Sequence, residues 1–511
     1  MQQIARGMGI GAIGMYLGLL LQFFARLIIA RYGLEANYGL FSLALVVLNF
    51  AMVLSCLGLQ DGVARYIAFH RGRADESEIG KTIASTLQVS IVTGCITGVL
   101  LFFFAQVIAV NIFHSSELTM VLKIFAIGLP FLTLVNIMSA IFRGFNKIEP
   151  QALFQSILLN ALFLVLLIGI ILLNMIFQFF FYAYLVAIIV TFAAMLIYAF
   201  RKIPRMVTFE IGQIDISTIK ILLAFSLPVF VTAIVSIIIF NADTLMLGYF
   251  RSPDVVGLYN AAYPLAYFIT VPLASFILIY IPVISSLFAQ GLITEVKRTY
   301  IISTKWLVAL TLPLWLVMFL FPDAVLNVVF GEVYAYGPAS SVLRILASSF
   351  MVMNLLGLGS CIFLASGNSK FIMWSGVIAA LINILLCIVL IPIAGAIGAA
   401  TASAVSLTVL NLIISIRLYL AKKIQPFSKN LVKPVIVSFV LAFLFQFIIR
   451  QFIVITWWIL PLIFIFYFVL YGIITLLTRS FDAEDIAILL DIEKTIGLNM
   501  DPVKKILKKF I

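Results

Sequence analysis

Charge is what this sequence has least of. Only 10% of its 511 residues are Asp, Glu, Lys or Arg, whereas 64% are apolar. A soluble globular domain is about one quarter charged and about half apolar. This composition excludes a folded, water-exposed surface over most of the chain. The sequence therefore indicates a protein whose solvent is the lipid bilayer.

Histidine and cysteine are also scarce. The chain has two histidines and four cysteines: His70, His114, Cys56, Cys95, Cys361 and Cys387. Neither histidine falls in the middle of an apolar window, and the cysteines lack the spacing of metal ligands. We interpret the cysteines as packing residues rather than disulfides, and we expect no metal and no cofactor. Nucleotide-phosphate loops, Ser-His-Asp sets and paired-carboxylate motifs are missing as well, so the sequence does not favour an enzyme.

Long apolar windows are what the sequence has in abundance. A spanning helix needs about 20 mostly apolar residues, because lipid offers the backbone no hydrogen-bond partners. The sequence predicts an all-α polytopic membrane protein of fourteen transmembrane helices, in the windows 8–30, 39–60, 82–109, 119–141, 152–173, 179–200, 221–247, 259–288, 304–322, 340–364, 372–392, 397–420, 435–452 and 458–478.

The basic residues are distributed asymmetrically between the predicted loops. With a cytoplasmic N-terminus, all but six of the 32 Lys and Arg fall on the inner side, the exceptions being Arg26, Arg31, Lys123, Arg251, Arg344 and Arg450. Such a bias orients membrane proteins, with positive loops inside. It predicts that both termini lie in the cytoplasm. The net charge of +12 is thereby explained by topology and by contact with membrane lipids, so nucleic acid is not an expected partner.

Three weak similarities in the same order indicate an internal repeat. EANYGLFSLA at 35–44 resembles PDVVGLYNAA at 253–262, and VLKIFA at 121–126 resembles VLRILA at 342–347; Asn160 and Asn383 then fall at corresponding positions. A repeat of six helices inserts both halves in the same orientation, a plan typical of transporters. We expect four parts: a six-helix bundle at 1–220, a second at 221–425, two additional transmembrane helices at 426–479, and a cytoplasmic amphipathic tail at 480–511.

Four stretches carry a resemblance to a known family. ARYGLEANYGLFSLA at 30–44, DTLMLGYF at 243–250, VGLYNAAY at 256–263 and GAIGAATASAVS at 395–406 resemble the polysaccharide-biosynthesis flippases. These belong to a larger group that also holds the lipid II flippases and the multidrug and toxin extruders. The resemblance covers roughly residues 1–425. It implies that a sugar linked to an isoprenoid diphosphate moves from the inner to the outer leaflet by alternating access.

Ionisable residues inside apolar windows are the candidate site residues, since each costs about 2.5–3.5 kcal/mol on insertion scales. Arg26 and Asp243 lie in corresponding helices of the two halves. Either they line a substrate cavity and contact each other in one state, or they reach the membrane interface. Lys123 and Arg344 are aligned cations at the outer starts of two helices. They either receive the substrate phosphate or anchor the protein at the interface.

The basic stretch 61–73 suggests a cytoplasmic entrance for an anionic headgroup. It carries Arg65, Arg71 and Arg73, which would attract phosphate before it enters the membrane. The alternative is a basic loop that only sets topology. A second amphipathic pattern follows Asp501 and Pro502, where lysines alternate with an apolar face, and it predicts a helix on the inner membrane surface.

Two other functions remain open from the sequence. An ion-coupled multidrug exporter has the same architecture, and a membrane glycosyltransferase or polymerase also has many helices. The enzyme is disfavoured because the longest predicted outer loop, about 323–339, carries only Asp323 and Glu332 as acidic residues. The chain shows no ATP-binding domain, so energy would come from an H⁺ or Na⁺ gradient, the membrane potential or coupled synthesis. Glycan polymerases or glycosyltransferases are the partners that a flippase would have.

Overall fold

The computed structural model describes residues 2–73, 75–202, 216–335, 337–427, 429–452 and 459–477. Over these residues the chain is helical. The α-helices are α1 Gln2–Cys56, α2 Leu59–Gly72, α3 Glu76–Gln106, α4 Glu117–Gly144, α5 Leu159–Leu172, α6 Phe179–Lys202, α7 Ile216–Phe250, α8 Pro253–Tyr267, α9 Val271–Ala289, α10 Ile293–Leu320, α11 Pro322–Phe330, α12 Glu332–Ala335, α13 Pro338–Leu356, α14 Leu358–Ala365, α15 Ser369–Lys422, α16 Lys429–Phe452 and α17 Ile459–Leu477.

The described helices confirm the polytopic all-α architecture. Ten of them are long and apolar enough to cross a membrane. Two of the ten, α1 and α15, contain a kink and so provide two apolar arms each. Together with α16 and α17, the described residues contain the fourteen apolar segments that the sequence predicts. The chain is therefore a multi-pass membrane protein.

The two kinks differ in the residue that makes them. Leu34 in α1 has φ 60° and ψ −176°, a conformation that is essentially restricted to glycine. Gly395 in α15 has φ 55° and ψ −128°, and it adopts the bend without a clash because it lacks a Cβ atom. Both bends fall between windows that the sequence predicts as separate helices, 8–30 and 39–60 for Leu34, and 372–392 and 397–420 for Gly395. The connection at Leu34 carries local strain.

The stretch 61–73 and the predicted outer loop 323–339 are more ordered than the sequence indicated. Most of 61–73 belongs to α2, a helix that packs its Leu59, Val63 and Ile67 into the core of the bundle. The outer stretch holds the short helices α11 and α12. The prediction that 61–73 is a loop was therefore wrong. The predicted tail from 480 onwards lies outside the described residues.

Contacts divide the chain into two compact units, Met1–Gly257 and Leu258–Ile511. In the first unit, α4 packs between α3, α1 and α6, and α7 lies along α1, α2 and α3. The division comes later than residue 220 because of these contacts of α7. In the second unit, α13 packs against α10 and α15, and the additional helices α16 and α17 pack on α10. The six-helix repeat itself stays a prediction.

Polar side chains join helices inside each unit. In the first, the hydroxyl groups of Ser55 and Thr133 are 2.8 Å apart, and the Thr93 hydroxyl donates to the Ser55 carbonyl oxygen at 2.7 Å. In the second, the Asn383 amide donates to the Ser403 and Ser406 hydroxyls at 3.1 and 3.3 Å, which links the two arms of α15. Interhelical hydrogen bonds of this kind supplement van der Waals packing where lipid removes the hydrophobic driving force.

Gly39 of α1 and Gly257 near the start of α8, both in the first unit, lie at a close approach of two backbones. A Cβ atom added to Gly39 would overlap the Pro253 carbonyl, and one added to Gly257 would overlap the Glu35 carbonyl. These are the two glycines that align in the repeated sequence blocks. Their lack of side chains allows the two backbones to touch.

This crossing predicts that Gly39→Ala destabilises the protein. The new methyl group must displace backbone atoms, which costs about 1–3 kcal/mol for an overpacked site. We expect the midpoint of thermal unfolding in detergent to fall by several degrees. Gly169→Ala is the matched control, since a Cβ atom there meets nothing within 4 Å. Equal unfolding midpoints for the two variants would contradict the close crossing.

Candidate functional site

Arg26 lies in the first arm of α1 and is half-buried. Its side chain contacts the hydroxyl group of Tyr38, which is also hydrogen-bonded to Ser42. Tyr38 and Ser42 belong to the second arm of α1, so this contact spans the bend at Leu34. The structure therefore gives Arg26, a cation predicted from the sequence as a site residue, a polar partner in Tyr38, whose hydroxyl group is itself held by Ser42.

Tyr184 of α6 lies within electrostatic range of the same guanidinium group, and its ring packs against other aromatic rings. Arg26 lies close enough to Tyr184 to act on its hydroxyl group electrostatically. The Tyr184 ring centroid is 5.0 Å from that of Phe163 and 5.2 Å from that of Phe125. An apolar base of this kind lowers the local dielectric constant and strengthens the field of the cation. Arg26, Tyr38, Ser42 and Tyr184 are called the arginine–tyrosine cluster below.

Asp243, the second predicted site residue, lies in α7 and is 2% exposed. Its helix packs against α1 within the first unit, and its neighbour Gly248 approaches Leu43 of α1 and Phe113 so closely that a Cβ atom would overlap them. A carboxyl group this deeply buried requires polar or charged surroundings. The contact between Asp243 and Arg26 stays a prediction.

The aligned cations Lys123 and Arg344 have different surroundings. The Lys123 ammonium group lies 5.5 Å from the centroid of the Phe102 ring, a cation–π distance. The Arg344 Nε atom donates to the carbonyl oxygen of Phe319 at 3.0 Å, and the side chain borders a cavity of about 440 Å³ in the second unit. Although their positions align in sequence, the two side chains are held by different chemistry.

The three arginines of the predicted entrance lie on or just after α2 and are exposed. Arg65 stacks on the ring of Phe225 in α7, with 4.3 Å between the guanidinium carbon and the ring centroid. Arg73 stacks in the same way on Phe69, also at 4.3 Å. Arg65 therefore helps to hold α2 on α7, while the role of Arg65, Arg71 and Arg73 as an entrance for an anionic headgroup stays a prediction.

The cysteines and acidic residues offer no ready metal site in the described ranges. All four cysteines are free; three are buried, whereas Cys95 is exposed. The interpretation as packing residues therefore fits Cys56, Cys361 and Cys387 but not Cys95. Among the residues that the structure describes, no group of three His, Cys, Asp or Glu side chains is placed to hold a metal ion.

Sequence reasoning found Arg26 but missed its tyrosine partners. Tyr38 and Tyr184 sit inside apolar windows, where a buried tyrosine usually contributes packing area. Nothing in their spacing distinguishes them from the other aromatic residues of a chain with 18 tyrosines and 46 phenylalanines. The available sequence signal was that Tyr38 lies a few residues after a charged residue, at the point where the chain must turn back into the membrane.

The arginine–tyrosine cluster predicts energetic coupling between Arg26 and Tyr38. A hydrogen bond to a charged group is worth about 1.5–3 kcal/mol. A double-mutant cycle of Arg26→Gln and Tyr38→Phe, measured as the free energy of unfolding in mixed micelles, is expected to show coupling of about that size. Tyr198→Phe is the control partner, since Tyr198 packs on Phe142 and Phe154. Coupling no larger than that of the control pair would contradict the contact.

Comparisons with known proteins agree with this architecture. Among the curated proteins, none matches the chain. Solved structures share its fold at low sequence identity. The lipid II flippase MurJ in an inward closed conformation has a TM-score of 0.69 and 17% identity, over 91% of this chain and 98% of that one. An inward-facing multidrug resistance MATE family transporter of the MOP superfamily has a TM-score of 0.67 and 15% identity, over 80% and 94%.

A third structure is a MOP superfamily transporter from Pyrococcus furiosus, described as having a binding pocket of reverse polarity that suggests a different function. It matches with a TM-score of 0.55 and 16% identity, over 82% of this chain and 95% of that one. At such identities these structures show a common fold and no more. The MatE family model matches residues 228–389. The model described as polysaccharide biosynthesis protein matches residues 4–288, more than half of the chain, and the chain therefore belongs to that family.

Proposed function

We propose that this protein is a flippase that moves a polyprenyl-(di)phosphate-linked oligosaccharide from the inner to the outer leaflet for cell-surface polysaccharide assembly. The observation that carries the proposal is the arginine–tyrosine cluster, a half-buried guanidinium group that contacts the Tyr38 hydroxyl group and lies within electrostatic range of Tyr184, inside the membrane-spanning part of the chain. Membership of the polysaccharide biosynthesis family and the fold shared with a lipid II flippase support it.

The cluster matches the headgroup chemically. A guanidinium group pairs with phosphate oxygens through charge-assisted hydrogen bonds, and Arg26 is placed to do so. The Tyr38 and Tyr184 hydroxyl groups can donate to phosphate or to sugar hydroxyls once the headgroup arrives. Flipping breaks no covalent bond, so the protein needs only a polar route for the headgroup while the isoprenoid tail remains in lipid. Asp243, buried in α7 of the same unit, would pair with Arg26 when the substrate is absent.

We propose that Lys123 and Arg344 contact the membrane interface, which is the second of the two roles that the sequence left open for them. Lys123 lies over the partly exposed Phe102 ring, and Arg344 is bonded to the last turn of α10. Long cationic side chains near helix ends reach the polar boundary of the bilayer in this way.

The proposal implies a location and partners. The positive-inside bias supports a cell membrane location with both termini in the cytoplasm. An H⁺ or Na⁺ gradient, or the membrane potential, would drive transport. Glycosyltransferases would supply the lipid-linked sugar on the inner side, and a polymerase would consume it outside.

Transport in sealed vesicles tests the role of Arg26. Arg26→Gln is expected to slow exposure of a polyprenyl-diphosphate oligosaccharide at the opposite leaflet about tenfold or more, since a lost charge-assisted hydrogen bond is worth roughly 1.5–3 kcal/mol. Arg26→Lys should retain part of the rate. Arg201→Gln, which removes an exposed arginine from α6, is the matched control. Wild-type rates for Arg26→Gln at equal protein levels would contradict the proposal.

A multidrug exporter is the second candidate, favoured by the MatE match over residues 228–389. The same vesicles discriminate between the two functions. Efflux of a cationic dye under an imposed ion gradient, without any movement of lipid-linked sugar, would support the exporter. The cluster argues against it, because a guanidinium group repels a cationic drug.

Cysteine labelling tests the proposed orientation. In a variant with the four native cysteines replaced, Glu117→Cys at the start of α4 should react with a membrane-impermeant maleimide added to intact cells. Arg71→Cys at the end of α2 should react only after the cells are permeabilised. Both positions are exposed, so accessibility within the protein is matched. The reverse labelling pattern would show that the N-terminus lies outside.

A further inference from the structure

The cavity beside Arg344 lies wholly within the second unit, between α10, α13 and α15. Its volume of about 440 Å³ falls within the range of about 300–1,000 Å³ that is usual for small-molecule sites. Arg344, Ser348 and Val352 follow one another along α13 at single-turn spacing, a length of about 12 Å. Phe319 of α10 borders the end at which Arg344 lies.

The polar side chains of the cavity wall, apart from Arg344, are largely occupied by the protein itself. The Ser348 hydroxyl donates to the Arg344 carbonyl oxygen at 2.8 Å and accepts from the Trp315 ring nitrogen at 3.2 Å. The Ser349 hydroxyl donates to the Ala404 carbonyl oxygen at 3.5 Å. What remains for a ligand is the hydroxyl group of Thr408 and an apolar surface formed by residues such as Ile345, Val352 and Val405.

Arg344 supplies a single cation at one end of this apolar surface. Its Nε atom is held by the Phe319 carbonyl, which fixes the guanidinium plane and leaves the two terminal amino groups for a ligand. Guanidinium groups bind phosphate oxygens with these amino groups in a fixed geometry. One fixed cation followed by about 12 Å of apolar wall complements an amphiphile with an anionic head. A free sugar headgroup would leave its hydroxyl groups unpaired there.

We propose that this cavity is a binding site for an anionic phospholipid, whose phosphate pairs with Arg344 and whose acyl chain lies along α13 and α15. The site is independent of the transport proposal, because every lining residue belongs to the second unit and none belongs to the arginine–tyrosine cluster. A lipid held there fills the space between three helices and stabilises their packing. Anionic lipid thereby becomes a structural component of this unit.

Lipid binding to the purified full-length protein tests the site. Native mass spectrometry with phosphatidylglycerol and phosphatidylcholine of equal chain length is expected to show one tightly held phosphatidylglycerol and a preference over phosphatidylcholine of about tenfold. Both lipids carry the phosphate, but the choline ammonium group of phosphatidylcholine cancels its charge and repels Arg344. Arg344→Gln should lose that preference and Arg344→Lys should keep part of it. Arg417→Gln, an exposed arginine of α15 outside the cavity, should behave as the wild type.

A cavity-filling variant separates the site from general surface charge. Val352→Phe keeps Arg344 but occupies the apolar wall, so it should release the tightly held phosphatidylglycerol while its far-ultraviolet circular dichroism stays helical. Unchanged retention in both Arg344→Gln and Val352→Phe would overturn the proposal. A polyprenyl phosphate that binds tenfold more tightly than phosphatidylglycerol would also overturn it, since the cavity would then belong to the isoprenoid carrier.

Discussion

The constraint on which the rest of the structure depends is that lipid cannot hydrogen-bond the backbone. Each unsatisfied peptide group in hydrocarbon costs several kcal/mol, so the chain satisfies these groups within helices. Because all spanning segments are helical, the lipid-facing surfaces do little to determine how the helices pack. The packing is determined instead by the few contacts between helices. Among those contacts are the Gly39–Gly257 crossing, the Ser55–Thr133 pair and the bonds of Asn383.

The same constraint explains why a charge inside the membrane must be surrounded by polar groups. Arg26 is tolerated because Tyr38, Ser42 and Tyr184 offer hydroxyl groups while their rings and neighbours remain apolar. Tyrosine suits this position, since a single side chain supplies both packing area and a polar tip. Lys123 and Arg344 align in sequence but have different surroundings. One rests on an aromatic ring, and the other binds a helix-end carbonyl beside a cavity.

Hydropathy predicted the helical segments well because the signal extends over about twenty residues and reflects burial in lipid. The gaps between windows also placed the bends near Leu34 and Gly395, but not the residue that makes each bend, since its backbone conformation is set by packing. The helix at 59–72 was missed because its polar face dominates its composition, although Leu59, Val63 and Ile67 carry a helical period. Charge within an apolar window identified Arg26, but its partners are tyrosines that only the fold brings together.

The proposed function requires that the phosphate of a lipid-linked oligosaccharide binds at the arginine–tyrosine cluster. A cryo-electron microscopy structure in nanodiscs with a polyprenyl-diphosphate oligosaccharide tests this most directly. We expect phosphate density about 2.7–3.2 Å from the terminal nitrogens of Arg26, the distance of an ordinary hydrogen bond. Phosphate density elsewhere in the protein, with Arg26 still bonded only to Tyr38 and its neighbours, would contradict it.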